Sequence, residues 1–426
     1  MWHENRGSCE SRGGRIEHRR SSRYFKEQML MKQINIIGMG MSAKTVTGEA
    51  LELIQDADIL IGAKRLINEF SYLNKPSHNA FLSDEIADLI SKSDAEKIAI
   101  LVSGDVGFYS GAEKLVCALS EYDPILVPGI SSVSYFFAKC RIPWKEANLI
   151  SCHGIESNIV SSVRRNRYTF ALTGRNIPDL QNQLVEYGFG DLKVWAGENL
   201  GLEDEFVTSC RVSDLNKREY GSLTVLIIEN PDFDSRVKTG IPDDEFIRAK
   251  VPMTKSEVRA VCMSKLDLSP YDIVYDIGCG TGSVSIEMAF AAYEGRVYAF
   301  DKNEEAVALV LENARKFHLD NIEAICGLAP ECLNDLPIPD VAFIGGSSGN
   351  MAEIVEFLHG KNKGIRFVIT AVTIETAMAA LESLKDIGIE GNIVQVSVSK
   401  GRQIGDLHML MAQNPIFIID GSDADE

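Results

Sequence analysis

Val274-Tyr275-Asp276-Ile277-Gly278-Cys279-Gly280-Thr281-Gly282 runs from a short apolar strand through an acid into three glycines at alternate positions. Val284-Ser285-Ile286-Glu287-Met288-Ala289 follows with helical apolar spacing. Strand, glycine turn and helix in this order form a nucleotide-cofactor corner. Glycine lets the backbone turn tightly and approach a ligand too closely for a Cβ, and the first N–H groups of the helix are free. The next strand, Arg296-Val297-Tyr298-Ala299-Phe300, ends at Asp301, about 20 residues on, where a ribose-binding carboxylate is expected. The glycines read G-x-G-x-G, with an acid two residues before the first. A carboxylate there repels a pyrophosphate and suits a cationic ligand, so the turn favours S-adenosyl-L-methionine over a dinucleotide. The expected cofactor contacts are Asp276, Gly278, Gly280, Gly282 and Asp301.

Working outward, residues 241–259 are charge-dense, and Thr254 to Glu257 has a capping-box pattern ahead of a helix. Beyond Asp301 come three more strand-helix units, at 321–326, at 340–344 with Gly345-Gly346, and at 364–370. Stretches 392–398, 407–411 and 415–419 read as a closing strand set without a long helix between them. This ending predicts a doubly wound Rossmann-like sheet with an antiparallel edge, a pattern that by itself leaves dehydrogenases open.

The N-terminal half repeats the theme. Residues 33–37 form a strand, Gly38-Met39-Gly40 a turn, 45–55 a helix and 58–61 a strand, an alternation that predicts an α/β layer with parallel strands. The strand Lys97-Ile98-Ala99-Ile100-Leu101-Val102 runs into Ser103-Gly104-Asp105-Val106-Gly107-Phe108-Tyr109. Ile125-Leu126-Val127 runs into Pro128-Gly129-Ile130-Ser131-Ser132. Both loops fall at the carboxyl ends of strands, where open α/β sheets bind ligands, so they make a second candidate cofactor site. The polar segment 231–240 is the expected linker, between domains at 31–230 and 241–420. Residues 1–30, Arg-rich and without an apolar h-region, are expected to be a disordered leader, and 421–426 an acidic tail.

Bulk properties narrow the function. A length of 426 residues suits two or three domains, and a net charge of −18 argues against nucleic acid as the main partner. Nine cysteines without a C-x-x-C pair, and seven histidines without ligand spacing, point to a reduced, cytoplasmic setting and no metal site. The sequence lacks a run of 18 apolar residues, so no membrane span is expected.

The two N-terminal loops resemble the signature loops of the tetrapyrrole methylase superfamily. Phe170-Ala171-Leu172-Thr173-Gly174-Arg175, Trp195-Ala196-Gly197-Glu198-Asn199-Leu200 and Leu223-Thr224-Val225-Leu226-Ile227-Ile228 resemble its second subdomain. The resemblance implies a two-subdomain fold with S-adenosyl-L-methionine between the subdomains, lined by Gly104, Asp105, Val106, Gly107, Ser131 and Ser132. Gly38 and Gly40 would border the tetrapyrrole. Met41 and Val106 stand where that superfamily usually has proline, which changes loop stiffness rather than donor groups.

Several C-terminal stretches are similar to decarboxylating precorrin methyltransferases of the cobalamin pathway. They are 243–248, 253–259, 276–285, Phe343-Ile344-Gly345-Gly346, 371–376 and 414–418. Taken together, the halves resemble the fused precorrin-6Y methyltransferase (decarboxylating) family. That implies methylation of precorrin-6 at carbons 5 and 15 with loss of the ring C acetate carboxylate. Leu328 stands where the family usually carries an aspartate for the adenine amino group.

Methyl transfer is an in-line displacement that needs alignment and water exclusion rather than a protein nucleophile, so no catalytic residue is assigned. His153 and His408 are read as structural. A carboxylate-rich tetrapyrrole calls for fixed cations, and Arg175, Arg248, Lys255 and Arg402, with Gly345 and Gly346, are the expected substrate contacts. Association into a homo-oligomer is expected. The alternatives are the same methylations on cobalt-precorrin intermediates, an RNA or protein methyltransferase, and a chain in which one half binds cofactor only as a scaffold.

Overall fold

The computed structural model describes residues 32–152 and 158–423; the expected leader, His153 and residues 424–426 lie outside the described residues. The described chain divides into two compact units, one of residues 32–144 with 197–206, the other of 145–196 with 207–423.

In the first unit, strands β1 (Gln33–Gly38), β2 (Ile59–Gly62), β3 (Ser77–Asn79), β4 (Lys97–Val102) and β5 (Ile125–Val127) form one sheet in the order β3-β2-β4-β1-β5. Every pairing in it is parallel. The central strands read as unbroken apolar runs because helices cover both faces, leaving Ile34, Ile36, Ile37 and Ile98 to Leu101 buried. The helix expected from Thr45 starts later, as α1 (Gly48–Asp56), capped by Thr47 accepting from Ala50 N–H. Thr45 is engaged elsewhere: its Oγ1 accepts from Met41 and Ser42 N–H at 2.8 and 3.0 Å.

The second unit begins with β6 (Ala147–Ser151), β7 (Tyr168–Leu172), all but the last two residues of β8 (Lys193–Glu198), all but the first residue of β9 (Phe206–Arg211), and β10 (Thr224–Glu229), strands ordered β6-β7-β10-β8-β9. β6 runs parallel to β7, and β10 antiparallel to it. The C-terminal sheet contains β11 (Ile273–Ile277), β12 (Arg296–Asp301), β13 (Ile322–Cys326), β14 (Val341–Ile344), β15 (Arg366–Ala371), β16 (Asn392–Val396) and, past a hairpin, a last strand Ile416–Ser422. Five strands run parallel in the order β13-β12-β11-β14-β15. The last strand lies antiparallel between β15 and β16, so the sheet is doubly wound with the expected antiparallel edge.

Three local expectations need correction. Leu407–Ala412 does not join the closing sheet; it pairs with Ser399–Ile404 in a separate two-stranded hairpin whose residues are almost all exposed. Gly421 and Ser422, expected in the tail, continue the last strand opposite Phe367 and Arg366. The helix after Thr254 spans Ser256–Leu266 with Lys255 at its N-cap and no side-chain cap. Instead, Asp243 Oδ1 accepts the Ser256 N–H at 3.0 Å from outside the helix.

The helix after the glycine turn, Ser283–Ala291, is buried around nearly its whole circumference, as an all-round apolar helix requires. No helix among the described residues is long and apolar enough to cross a membrane.

Candidate active sites

The C-terminal site forms where β11, β12, β14 and β15 end. Gly278, Gly280 and Gly282 have φ of 75°, 55° and 74°, in the left-handed region that disfavours any side chain. Space closes the same positions. A Cβ on Gly278 would lie 2.6 Å from the Gly346 backbone, and one on Gly280 2.6 Å from the Pro252 carbonyl. The N–H groups of Gly278 and Cys279 both donate to the Phe300 carbonyl, at 2.9 and 3.0 Å, which binds the turn to β12. At the end of β12, Asp301 is oriented by its own neighbours: Oδ2 accepts from Gly280 N–H and Oδ1 from Asn303 N–H, each at 3.0 Å.

Above this turn lies a cavity of about 940 Å³, a size that suits a small-molecule ligand. Its walls include Val251 to Lys255, the Gly278–Gly280 turn, Asp301 to Asn303, Leu328, Gly345 to Gly349 and Ala371 to Thr373. The Val251–Lys255 strap is fixed from below. Arg259, fully buried, donates to Glu287 Oε1 at 2.9 Å and Asp243 Oδ1 at 3.0 Å, and to the carbonyls of Thr254 and Ile241. Glu287 also accepts the N–H groups of Gly240 and Ile241, at 2.9 and 3.0 Å.

Asp276 is fully buried behind the turn. Its Oδ2 accepts from the Ser285 hydroxyl, while Oδ1 and the neighbouring Thr281 Oγ1 are buried without a partner among the described residues. Burial pushes the Asp276 carboxyl up to about 7, because removing water penalises the charged form.

The first unit has its own backbone cradle. Gly40 and Gly104 exchange N–H···O bonds of 3.0 Å in both directions, bringing the two loops together. A Cβ on Gly38 would meet Gly129 N at 2.7 Å, and one on Gly129 would meet the Gly104 carbonyl at 2.3 Å. Asp105 clasps the loops, Oδ1 accepting from Gly107 N–H at 2.9 Å and Oδ2 from Gly129 N–H at 3.1 Å. Ser131 caps the helix Ser132–Cys140 by accepting from Ser134 N–H.

Comparison with known proteins bears on both sites. The model of the precorrin methyltransferase domain matches residues 245–420, and that of tetrapyrrole (corrin/porphyrin) methylases matches 33–216. A protein of Pyrobaculum calidifontis named "Probable cobalt-precorrin-6B C(15)-methyltransferase (decarboxylating)" is 44% identical over 184 residues, which are 42% of this chain and 94% of the relative. One of the same name from Sulfolobus acidocaldarius is 42% identical over 186 residues, 43% of this chain and 96% of that protein. A crystal structure of a precorrin-6Y C5,15-methyltransferase from Geobacter metallireducens is 39% identical, with a TM-score of 0.42, over 43% of this chain and 97% of that one.

The chain belongs to the precorrin methyltransferase family.

As a methyltransferase of this family, it places the expected residues unevenly. Gly278, Gly280, Asp301, Gly345, Gly346 and Lys255 line the C-terminal cavity. Gly282 starts the helix, packed on Val310, and Asp276 sits behind the turn; neither lines the cavity. Of the expected cations, Lys255 is at the wall, 3.7 Å from Asp243 Oδ2. Arg248 and Arg402 are exposed and do not line it, and Arg175 is exposed on the loop after β7. In the first unit Gly38, Gly40, Gly104, Asp105 and Gly107 meet in one cluster, with Val106 in the same loop.

Lys302, at the cavity wall, was missed, and Gly129 was read only as part of its loop. Lys302 directly follows the ribose-type acid at a strand end, and the rule that found Asp301 reaches it too. The Pro128-Gly129 pair marked the loop, but not that Gly129 packs against the Gly38 and Gly104 backbone. Glu287 was also missed as the anchor of the strap; a lone acid in the apolar run Ser283 to Phe290 is its signal.

Proposed function

We propose that the chain is a bifunctional methyltransferase that uses S-adenosyl-L-methionine in each half. The N-terminal half methylates carbon 5 of a precorrin-6 macrocycle; the C-terminal half methylates carbon 15 and removes the ring C acetate carboxylate as carbon dioxide. The observation that carries this reading is the floor of the 940 Å³ cavity, where glycine backbone meets glycine backbone and no side chain can stand. Such a floor lets a ligand rest directly on the chain, and Asp301, held by two N–H donors, presents its remaining lone pairs to ribose hydroxyls.

The residues present fit the cofactor. The unpartnered Asp276 Oδ1 adds an acceptor and partial negative charge behind the turn, which favours a cationic ligand over a pyrophosphate. When bound, S-adenosyl-L-methionine supplies an electrophilic methyl group. The protein's work is to align the attacking ring carbon and to exclude water, and the strap over the glycine turn does both by closing one wall of the cavity. Lys255 on the strap and Lys302 after Asp301 offer positive charge to substrate carboxylates in the cavity. In the N-terminal half, Asp105 spends its carboxylate on Gly107 and Gly129, so the loop meets the cofactor with backbone groups.

A cobalt-containing macrocycle is the second reading, favoured by the names of the relatives. The test is mass spectrometry of metal-free and cobalt-loaded precorrin-6 substrates after incubation with the protein and isotopically labelled methyl donor. The expected product gains two labelled methyl groups and loses one carboxyl group. Unchanged mass with both substrates overturns the reading, and turnover of the cobalt form alone selects the second.

A further inference from the structure

Within the second unit, the C-terminal domain meets the sheet of β6 to β10 through a face unrelated to its cavity. Asp320 is 8% exposed. Its carboxylate is satisfied from across that contact: Oδ2 accepts from Val160 N–H at 2.8 Å and Gln183 Nε2 at 3.2 Å, and Oδ1 from Ser161 N–H at 3.0 Å. Burial pushes its pKa up. A buried carboxylate without these donors is strongly disfavoured.

Independent contacts surround it. Arg164 stacks over Phe290 at 4.5 Å and Arg165 over Tyr293 at 3.5 Å. Asn158 Nδ2 donates to the carbonyls of Tyr293 and Gly295 at 3.2 and 3.1 Å. Arg315 pairs with Glu186 at 2.6 Å, and His318 Nδ1 lies 2.5 Å from the Tyr187 carbonyl. Guanidinium groups stacked on aromatic rings around a buried carboxylate that accepts from three donors are the build of a specific interface, not of two domains sharing a tether.

From this we infer that the C-terminal domain carries a docking face, centred on Asp320 with Phe290 and Tyr293, whose partner is the β6–β10 lobe of the same chain. The face holds the two halves together without help from the covalent linker. This holds whatever ligand either half binds.

The experiment inserts a protease recognition sequence between Arg236 and Val237, both exposed, purifies the full chain and cuts it under native conditions. Size-exclusion chromatography is expected to show the two fragments eluting together at the position of the uncut protein. Asp320→Ala in the same background should weaken the association roughly 30-fold or more, because it leaves the Val160 and Ser161 N–H groups buried without acceptors. Asp320→Asn, which keeps one carbonyl acceptor, should fall between. Tyr293→Ala removes the ring under Arg165 and gives a second reading should the alanine variant at 320 fail to fold. Fragments that separate as soon as the wild-type linker is cut overturn the inference. So does an unchanged dissociation constant in Tyr293→Ala together with every folded variant at 320.

Discussion

Gly278 combines a φ of 75° with a Cβ position 2.6 Å from the Gly346 backbone, so it has no room for alanine. Gly278→Ala should cost at least about 1–2 kcal/mol from the left-handed backbone alone and abolish cofactor binding in the C-terminal half. Calorimetric titration with S-adenosyl-L-methionine checks the second part. Asp276 makes a different prediction. Its carboxyl titrates near 7 in the folded protein, but near 3.9 in an unfolded chain. Between these values the folded state holds the extra proton, so stability falls as pH rises from about 4 to about 7, by up to about 1.4 kcal/mol per pH unit, and levels off above. Asp276→Asn should flatten that stretch in urea unfolding of the ligand-free protein; an unaltered profile would contradict it. Leu328 lines the cavity and is 43% exposed. Leu328→Asp introduces the adenine acceptor that the family resemblance implies at this position and should tighten cofactor binding roughly 2- to 10-fold, the effect of one hydrogen bond. At this scale the glycines were legible because their demand on φ is local. The side-chain direction of Asp276, and which cations reach the cavity, depend on strand faces and loop paths that spacing does not specify.

At the scale of elements, the strap over the C-terminal cavity depends on the Arg259–Glu287 pair, both fully buried. Arg259→Ala strands the Glu287 charge and should cost about 3–5 kcal/mol, measured by denaturant unfolding. Replacing both residues with methionine should recover only part of this, because Glu287 also accepts the Gly240 and Ile241 N–H groups. The strands and helices themselves were largely legible, since parallel strands buried on both faces read as apolar runs and the glycine turns mark their ends. The hairpin of Ser399–Ile404 and Leu407–Ala412 was only half read. Its second strand looks like the core strands in composition, yet Leu407 and Leu410 are 77% and 73% exposed, and composition alone does not say that no core receives them. The cap of the helix Ser256–Leu266 was misplaced for a related reason: Asp243 reaches it from 13 residues away in sequence.

For the whole molecule, each half presents a separate glycine-floored cradle at the carboxyl ends of a parallel sheet. The two glycine-rich motifs could be read because each is local in sequence, whereas the compact units of the structure divide between residues 144 and 145 rather than at the expected linker, 231–240. The docking face around Asp320 could not be read, because its partners Val160, Ser161 and Gln183 lie more than 130 residues away. Association of the chain with copies of itself is a further expectation, and light scattering that shows only monomer would contradict it. The most direct measurement is the number of S-adenosyl-L-methionine molecules bound per chain at equilibrium. The wild type should bind two, and Gly278→Val and Gly129→Val should each bind one; a wild-type chain that binds one or none contradicts two independent methyl-donor sites.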